Sequence, residues 1–583
     1  MENSIKTLEW GVDEYNVWVS AGMPLNNEVT HLDISQKKIK GSLMLNNLPN
    51  LRELNCSFNM ITDIKVNLPK LQELNCSNNQ IKQIEGLVLL NLRLLNCSNN
   101  QITEIEGLQM SNLEKLYCSF NNITEIDGVK LPKLQELHCN CNKITKIEIL
   151  KLPELQKLKC SYNKITKIER LNLPKLQELI CNHNQIAEIK RLNFLPNLKI
   201  LGCNNNKITK IEKLQLLNLQ ILHCSYNKIS KIEGLKLPTL QRLYCSHNQI
   251  SKIEGLKLSN LKILICSYNK ITKIEGLEFL NLKKLDCSRN QITKIEGLQL
   301  PKLEKLCCEY NHITEIEGLQ LSILKWLICP YNKITKIQGL QLSNLERLEC
   351  GSNKITEIQG LQLPMLQELY CQNNKITKIQ GLQLPNLQVL ICSYNKITKI
   401  EGHDLPNLQS LDCSHNQITI IQEVQLPMLQ KLYCQHNKIT EIQGLQLPML
   451  QELYCQYNQI TKTQGLRLPN LQILICRNNK ITNLSFILPN NLQSINYIGN
   501  PVEYIAPNIR RFLNMSKTSQ SIYKDSQNVH NHYVQECIRT SIEQLMELKP
   551  IIVNVRDYIV NDSVLTETVK QLLMEYMNDT TVH

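Results

Sequence analysis

The chain has 583 residues, a formal net charge of +13 and 24 cysteines. A chain of this length usually forms several domains, and its charge is compatible with an anionic partner. No stretch contains the roughly 18 to 20 apolar residues that a transmembrane helix needs, so we expect no membrane-spanning segment and no membrane partner.

The first segment, residues 1–28, precedes a long repeated region. Leu8, Val12, Tyr15 and Trp18 recur in it at helical spacing, although Gly11 lowers helix propensity. The end of a repeat array exposes its core, so we predict an N-terminal capping segment here. The first ten residues lack the basic start and the apolar run of a secretory signal, which favours a protein that is not secreted.

From residue 29 onward the chain is repetitive. A cysteine recurs from Cys56 to Cys476, nearly always twenty-one residues after the previous one, and an Asn follows three places behind it, as at Asn59. Twenty-one of the 24 cysteines hold this position; the others are Cys141, Cys307 and Cys537. Counting degenerate ends, we predict about twenty-three units over residues 29–502, and such self-similarity is typical of a solenoid.

The unit that begins at Leu387 reads Leu-Gln-Val-Leu-Ile-Cys-Ser-Tyr-Asn-Lys-Ile, which is the pattern L-x-x-L-x-C-x-x-N-x-I. This pattern resembles the leucine-rich repeat family, in its short-repeat, internalin-like subclass. The resemblance implies an α/β solenoid with a parallel β-sheet on the concave face and short 3₁₀ or extended segments on the convex side. Two departures are the unit length, twenty-one residues here instead of twenty-two, and the cysteine at an inward site that leucine usually holds.

Period-two alternation assigns each residue of the unit a side of the sheet. Leu390 and Cys392 are predicted to face the core, where small apolar cysteines pack as a structural ladder. We interpret the recurring Asn as a turn-fixing residue, because a buried amide without partners costs about 1 to 3 kcal/mol. The lysines of the repeated Asn-Lys-Ile-Thr-Lys-Ile stretch read as a solvated face. The Gly near the end of most units is absent from four consecutive ones, so we expect its position not to require a positive φ. Its replacements are Ile149, Arg170, Arg191 and Lys213.

The cysteine column also indicates a reducing compartment. Neighbouring strands lie ~4.8 Å apart, whereas the Cβ atoms of a disulfide lie ~3.8 Å apart, so stacked thiols in register do not pair without distortion. The column lacks clustered C-x-x-C spacing, and we expect neither a metal nor a cofactor. We therefore predict a cytoplasmic or host-cell intracellular protein.

Strand residues that alternate with the core residues are predicted to line the concave face. The columns directly before and two places after each cysteine are rich in aromatic side chains, which are over-represented in binding surfaces. The competing interpretation is that Tyr and Ile simply favour strands. The candidate partner-binding residues are Tyr117, Tyr162, Tyr226, Tyr244, Tyr268, Tyr310, Trp326, Tyr331, Tyr370, Tyr394, Tyr433, Tyr454, Tyr457, His183, His247, His415 and His436.

After Pro501 the sequence changes character, and we predict a small helical C-terminal domain over residues 503–583. His530, His532 and Cys537 within it suggest a zinc or nucleophile site, but they provide three ligands at irregular spacing and no acid to orient a base. Helix capping and packing are the simpler interpretation. The Cys-x-Asp motif of bacterial leucine-rich repeat ubiquitin ligases is absent, since Ile538 and Arg539 follow Cys537.

We predict a non-enzymatic, monomeric protein-binding scaffold that uses the concave face of the array. One alternative is an adaptor or effector whose helical tail recruits modifying machinery such as a ubiquitin ligase. The third is nucleic-acid binding, which the mixed charges of the concave columns disfavour because they form no continuous phosphate track. The Asn, Ile and Lys bias and the repeat-plus-tail order are similar to leucine-rich repeat proteins of giant DNA viruses of amoebae, which implies a viral source.

Overall fold

The computed structural model describes Thr7–Glu9 and residues 25–515, apart from residues 85, 127, 149, 170, 190, 191, 193, 194, 212, 213, 380, 401–404 and 422–424. Its elements are almost all short strands. In chain order they are β1 (Thr7–Glu9), β2 (His31–Asp33), β3 (Lys40–Leu45), β4 (Glu53–Asn55), β5 (Met60–Val66), β6 (Glu73–Asn75), β7 (Leu94–Asn96), β8 (Lys115–Tyr117), β9 (Glu136–His138), β10 (Lys157–Lys159), β11 (Glu178–Ile180), β12 (Ile200–Gly202), β13 (Ile221–His223), β14 (Arg242–Tyr244), β15 (Ile263–Ile265), β16 (Lys284–Asp286), β17 (Lys305–Cys307), β18 (Trp326–Ile328), β19 (Arg347–Glu349), β20 (Glu368–Tyr370), β21 (Lys378–Ile379), β22 (Val389–Ile391), β23 (Lys399–Ile400), β24 (Ser410–Asp412), β25 (Lys431–Tyr433), β26 (Glu452–Tyr454), β27 (Ile473–Ile475), β28 (Asn483–Leu484), β29 (Ser494–Asn496), β30 (Tyr504–Ile505) and α1 (Pro507–Met515).

Twenty-four of these strands form one parallel sheet. Each strand pairs with the equivalent residues of the next unit, as Glu368 with Val389 and Leu369 with Leu390. The sheet contains β1 and twenty-three further strands from β2 to β29, which matches the number of units predicted from the sequence. The predicted parallel solenoid is therefore confirmed.

The core lies behind the sheet and repeats with the unit. In the unit around Cys392, the buried apolar side chains are Leu382, Leu384, Leu387, Leu390, Cys392, Ile397 and Ile400. Burying a Leu or Ile side chain contributes about 1.5 to 3 kcal/mol, and each unit buries its side chains against the two units beside it. The single core therefore continues from one unit to the next without a break.

The ladder cysteines from Cys56 to Cys476 are buried free thiols. Several donate to the carbonyl of the next strand, as Cys392 Sγ does to Asp412 O at 3.2 Å. Burial raises the pKa of Cys76 and of Cys371 to about 12. These thiols are therefore protonated packing groups, as the alternation predicted.

The recurring Asn is buried and fully hydrogen-bonded. Asn332 Nδ2 donates to Cys308 O at 3.0 Å in the preceding unit and to Cys329 O at 3.1 Å in its own. Its Oδ1 accepts from the amide of Ile313 at 3.0 Å. Each such Asn joins two units and fixes the turn that leaves the strand, which confirms its predicted role.

The convex side is extended chain punctuated by turns, and no 3₁₀ helix occurs in the described residues. Parallel pairs β3 with β5, β21 with β23, and β28 with β30 lie there. The expectation about the unit-ending glycine holds at Gly128, which has no positive φ, but it is wrong for most of the described units: Gly255 has a φ of 76° and Gly360 one of 79°, in the left-handed region that favours glycine. The four replacement residues lie outside the described part of the chain.

The two ends of the array differ from the sequence-based picture. Leu8, predicted on a helical face, lies in strand β1, which pairs in parallel with β2 and extends the sheet by one strand. The other predicted cap residues, Val12, Tyr15 and Trp18, fall outside the described residues. At the other end α1 packs on the core through Ile509, which is fully buried.

Most of the predicted C-terminal domain, including His530, His532 and Cys537, also lies outside the described residues. Within the part of the chain that the structure describes, no helix combines the length and hydrophobicity needed to traverse a bilayer.

Candidate functional site

Three columns of side chains project from the concave face. We name them by their place relative to the ladder cysteine: the strand-entry column lies three residues before it, the pre-cysteine column directly before it, and the post-cysteine column two residues after it. In the unit of Cys371 they are Glu368, Tyr370 and Asn373. Because the units are in register, each column is a row of side chains about 4.8 Å apart.

The backbone of the post-cysteine column is unusual. All twenty-one of its residues, from Phe58 to Asn478, have φ values between 51° and 56°. Asn and His tolerate this left-handed conformation better than other residues, whereas for a bulky side chain it costs about 1 to 2 kcal/mol. Aromatic residues nevertheless occupy many of these positions, including Tyr268, Tyr310 and Tyr331.

Stacking between units accompanies this strained backbone. Rings in the post-cysteine column lie nearly parallel, as Tyr226 on His247 at 4.0 Å and His247 on Tyr268 at 3.9 Å between centroids. The guanidinium of Arg289 continues the row, 4.8 Å from the Tyr268 ring and 3.9 Å from the Tyr310 ring. Tyr331 ends it, 4.2 Å from Tyr310. We call Tyr226, His247, Tyr268, Arg289, Tyr310 and Tyr331 the central stack.

A second row, the C-terminal stack, consists of Tyr394, His415, His436 and Tyr457. Its centroids lie 4.0 to 4.4 Å apart with interplanar angles of 8° to 13°. Ser352 and Asn373 separate the two stacks, since they hold the post-cysteine positions of the two units between Tyr331 and Tyr394. Nearer the N-terminus, Tyr162 stacks on His183 at 4.0 Å.

The pre-cysteine column is less accessible than predicted. Tyr117, Tyr370, Tyr433 and Tyr454 are half-buried, and Tyr244 is buried, with 8% of its surface exposed. The correction for Tyr244 has a simple cause: its ring stacks on that of His223 at 4.4 Å in the neighbouring unit. Residues on the strand itself are covered by both adjacent strands, whereas the post-cysteine residues lie beyond the strand ends.

Carboxylates hold most of these half-buried tyrosines in place. The hydroxyl of Tyr117 donates to Glu136 at 3.2 Å, that of Tyr370 to Glu368 at 3.0 Å. The hydroxyl of Tyr433 donates to Glu452 at 3.3 Å, and its ring contacts that of Tyr454 at 4.8 Å. Hydrogen bonds and ring contacts within the protein therefore fix these side chains, so they are less available to a partner than the exposed rings of the post-cysteine column.

Burial keeps the histidines of this surface neutral. It lowers the pKa of His223 to about 4, with a smaller contribution from Arg242, and it lowers the pKa of His138 to about 4. Burial also lowers the pKa of His183 and that of His436. Near neutral pH His138 and His223 are therefore uncharged aromatic rings.

Charged groups concentrate in the middle of the face. Arg347 pairs with Glu349 at 2.7 Å and with Glu368 at 2.6 Å, and its guanidinium lies 4.6 Å from the Tyr370 ring. Burial, together with repulsion from Asp286 and Glu349, raises the pKa of Glu309 to about 7. Carboxylates and cations therefore both occupy the centre of the concave face, with Glu349 and Glu368 around Arg347.

The structure brings most of the predicted contact residues together in the post-cysteine column. Seven of the predicted residues are exposed: Tyr268, Tyr310, Trp326, Tyr331, Tyr394, His436 and Tyr457. Tyr162, Tyr226, His183, His247 and His415 are half-buried by their stacking neighbours. Trp326 belongs to the strand-entry column, with Lys305 Nζ 4.3 Å from its ring.

The candidate contact residues predicted from the sequence do not include Arg289, His138 or His223. Aligning the units at the ladder cysteine identifies all three, because it places Arg289 between Tyr268 and Tyr310 and each histidine beside a tyrosine. Among the described residues, no group of three or more His, Cys, Asp or Glu side chains is arranged to hold a metal ion.

Solved structures with a similar fold come from several sources. YopM from Yersinia enterocolitica is 22% identical over 85% of this chain and 96% of its own, with a TM-score of 0.56. The plant peptide hormone receptor RGFR1, solved in complex with RGF2, is 20% identical over 87% of this chain and 94% of its own, with a TM-score of 0.54. The functional domain of InlJ from Listeria monocytogenes, described as including a cysteine ladder, is 28% identical over 60% of this chain and 75% of its own, with a TM-score of 0.45.

A comparison with curated protein sequences found no match. The family model for leucine-rich repeats, in two copies per match, fits most of the array. It matches residues 69–110, 111–152, 153–197, 196–237, 238–279, 280–321, 324–363, 364–405, 406–447 and 448–490. With this coverage, the fold and the repeat pattern lead to one conclusion: the chain belongs to the leucine-rich repeat family.

Proposed function

We propose that the protein is a non-enzymatic scaffold that binds a protein partner on its concave face. The observation that carries the proposal is the post-cysteine column, where exposed rings occupy a left-handed backbone position that favours Asn. Local backbone strain of this kind is concentrated at functional sites.

Exposure supports the same proposal. Tyr331 and Tyr394 keep 44% and 45% of their surfaces accessible, although both are large apolar rings. Tyrosine provides broad contact area at low entropic cost, which suits a protein interface. RGFR1 has been solved with RGF2 bound, so a polypeptide ligand is compatible with this fold.

The stacking geometry argues against nucleic acid as the partner. Proteins that bind single strands stack bases on the open faces of aromatic rings. In the interior of the central stack both faces of each ring are covered by neighbours at 3.9 to 4.8 Å. Bases would find only ring edges there.

We further propose that the protein works as a monomer in a cytoplasm, with its cysteines reduced. Buried protonated thiols are compatible with such a compartment. The compositional similarity to proteins of giant DNA viruses of amoebae would make that cytoplasm a host cell's. Mass spectrometry of alkylated cysteines from the intracellular protein tests the redox state, and sedimentation tests the monomer.

Site-specific photocrosslinking tests the binding face. A benzoylphenylalanine placed at Tyr331 on the concave face is compared with one at Lys336, which is exposed on the convex side. We expect discrete protein adducts from position 331 alone. Equal adducts from both positions would contradict a concave binding site.

A variant set separates binding from folding. Tyr268→Asn, Tyr310→Asn and Tyr331→Asn together remove rings while keeping residues that suit the left-handed backbone. The matched control carries Asn at Thr293, Thr314 and Thr335, three exposed convex positions of comparable units. We expect the first variant to lose its adducts when the crosslinker is placed at Tyr394, and the control to retain them.

A further inference from the structure

We propose that the gap between the two aromatic stacks is a slot for two arginine side chains, one against each terminal ring, presented by an extended segment of the protein partner. The slot is bounded by Tyr331 and Tyr394 and floored by Ser352 and Asn373. This inference rests on the proposed function and specifies the chemistry of the partner.

The dimensions of the slot follow from the repeat. Tyr331 and Tyr394 are three units apart, which is about 14 Å at ~4.8 Å per strand. Stacked neighbours in the column occupy 3.9 to 4.4 Å per step, so two planar groups are missing from the row. Tyr331 has a ring neighbour on one side, Tyr310, and Tyr394 has one on one side, His415, whereas Ser352 and Asn373 place no ring against their other sides. One face of each terminal ring is therefore available to a ligand.

The same column shows which planar group fits. Arg289 occupies a single step between Tyr268 and Tyr310, with its guanidinium 4.8 and 3.9 Å from the two ring centroids. Arg347 makes a similar contact with Tyr370 at 4.6 Å. Guanidinium groups stack well on aromatic faces, and each such contact contributes about 0.5 to 2 kcal/mol depending on its desolvation.

The charge around the slot favours a cation. The units that supply Ser352 and Asn373 also carry Glu349 and Glu368 on their strands, against the one cation Arg347 that pairs with both. Asp412 lies on the strand two units beyond Asn373. A positive planar group meets stacking surfaces and an excess of carboxylates here. Lysine lacks the planar surface, and a nucleobase brings a phosphate into the acidic region.

The test uses fluorine NMR on the full-length protein. 3-Fluorotyrosine is placed at position 331, at position 394 and, as a control, at position 268, where both ring faces are already covered. The probe is the peptide Gly-Arg-Gly-Arg-Gly, titrated to millimolar concentration beside its lysine and citrulline counterparts. We expect saturable shifts at 331 and 394, none at 268, and about tenfold weaker binding of both counterparts, since 1.4 kcal/mol corresponds to tenfold.

Two variants check the location of the site. Ser352→His with Asn373→Tyr completes the stack with residues that the column accepts elsewhere, and it should abolish the shift at both positions. The matched control, Asn78→His with Asn99→Tyr, makes the same changes at two other post-cysteine positions and should leave peptide affinity unchanged.

Several results would overturn the slot. These are equal binding of the lysine peptide, persistence of binding in the filled variant, and shifts caused by a deoxyadenosine decamer but not by the arginine peptide. The scaffold proposal fails separately. If crosslinking at Tyr331 yields partner adducts while the peptide does not bind, the slot proposal is wrong and the scaffold proposal stands. If the peptide binds while crosslinking at Tyr331 yields no adducts, the scaffold proposal is wrong and the slot proposal stands.

Discussion

Single residues in this protein have one of two roles, and the ladder cysteine separates them. The residue three places behind it is an Asn whose amide joins two units, whereas the residue two places behind it has no fixed chemistry. Asn, Phe, Tyr, His, Arg, Ser and Cys all occur there with the same backbone conformation. The structural requirement at the turn is met by the Asn, so its neighbour is available for recognition.

The first residue-scale prediction concerns the Asn. Asn332→Ala removes three donated hydrogen bonds and leaves the buried Ile313 amide without an acceptor. We expect a loss of about 2 to 3 kcal/mol in local stability, measured by hydrogen exchange in the two flanking units. Asn344→Ala, which removes only an exposed bond to Ser322 O, should cost under about 1 kcal/mol. Equal losses would contradict the ladder role.

A second prediction concerns the reactivity of the cysteine thiols towards alkylation. Burial raises the pKa of ladder cysteines such as Cys76 to about 12, so iodoacetamide at pH 8 should leave them unmodified in the folded protein. Cys141, which lies in the post-cysteine column and is half-buried, should react first among the described cysteines. Mass spectrometry of the alkylated peptides measures the order. Early modification of Cys76 would show that the array opens locally.

The neutral histidines make stability dependent on pH. Burial lowers the pKa of His223 to about 4, below its unfolded value of about 6.5, so the unfolded chain binds more protons between these limits. The contribution of His223 is complete above pH 6.5 and is lost as the pH falls towards 4.

Urea denaturation at pH 7 and pH 5 measures this effect. We expect the midpoint of the parent protein to fall more than that of His223→Leu. Glu309 has the opposite effect, because its pKa is raised to about 7 and its protonation therefore favours the folded state as the pH falls. The urea midpoint of Glu309→Gln should therefore fall more between pH 7 and pH 5 than that of the parent protein. The reverse order in either variant would contradict these assignments.

At the scale of elements, the described array consists of one strand-and-turn unit that is repeated, with β1 at one end and α1 at the other. The sequence predicted the module well because its core positions recur with a fixed period, so each unit confirms the others. The elements at the two ends of the array were predicted less well. Leu8 was assigned to a helical face because helical spacing over a short segment is weak evidence, and pairing with β2 determines its conformation instead.

The site was predicted in part for a similar reason. Alternation identifies which residues leave the core, so the columns were correct, but it does not measure how far adjacent strands cover a side chain. Tyr244 was therefore predicted to be exposed and is buried. The backbone of the unit-ending glycine was predicted incorrectly for most units. Four units carry another residue there, which suggested that no positive φ is required, whereas Gly255 has a positive φ.

The helix α1 gives an element-scale prediction. Ile509 is fully buried against the last units, beside Ala506. Ile509→Asp places a charge in that contact, and we expect faster hydrogen exchange in β27 and β29 with little change in the central strands. Arg510→Asp, at an exposed position of the same helix, is the control. Uniform destabilisation of the array would contradict a local capping role.

At the scale of the whole molecule, the array behaves as a sum of equivalent neighbours. In the described part of the chain each strand of the sheet pairs with the strands of the adjacent units, so stability depends on adjacent interfaces and on intact ends. The aromatic columns cross many of these interfaces and add stacking to the packing of the core, at about 0.5 to 1.5 kcal/mol per aromatic pair.

Removing one unit tests this equivalence. Deleting the twenty-one residues 343–363 joins Leu342 to Pro364, which reproduces the Leu-Pro junction of the parent. We expect a folded protein with a slightly lower urea midpoint and a slot narrowed to one step by the loss of Ser352. Deleting residues 343–353 alone breaks the register and should unfold the adjoining units, as seen by circular dichroism. Equal behaviour of the two deletions would contradict the nearest-neighbour picture.

The unit spacing also limits how a partner can lie along the concave face. Each strand advances the columns by about 4.8 Å, whereas an extended peptide advances about 3.1 to 3.3 Å per residue. Two units therefore match three peptide residues, at close to 9.6 Å. A segment in the polyproline II conformation, which has three residues per turn, would bring the same side of its chain to the post-cysteine column at every third residue. The post-cysteine column would then contact every third residue of the partner, so we expect the contacting residues to recur with a period of three in the bound segment.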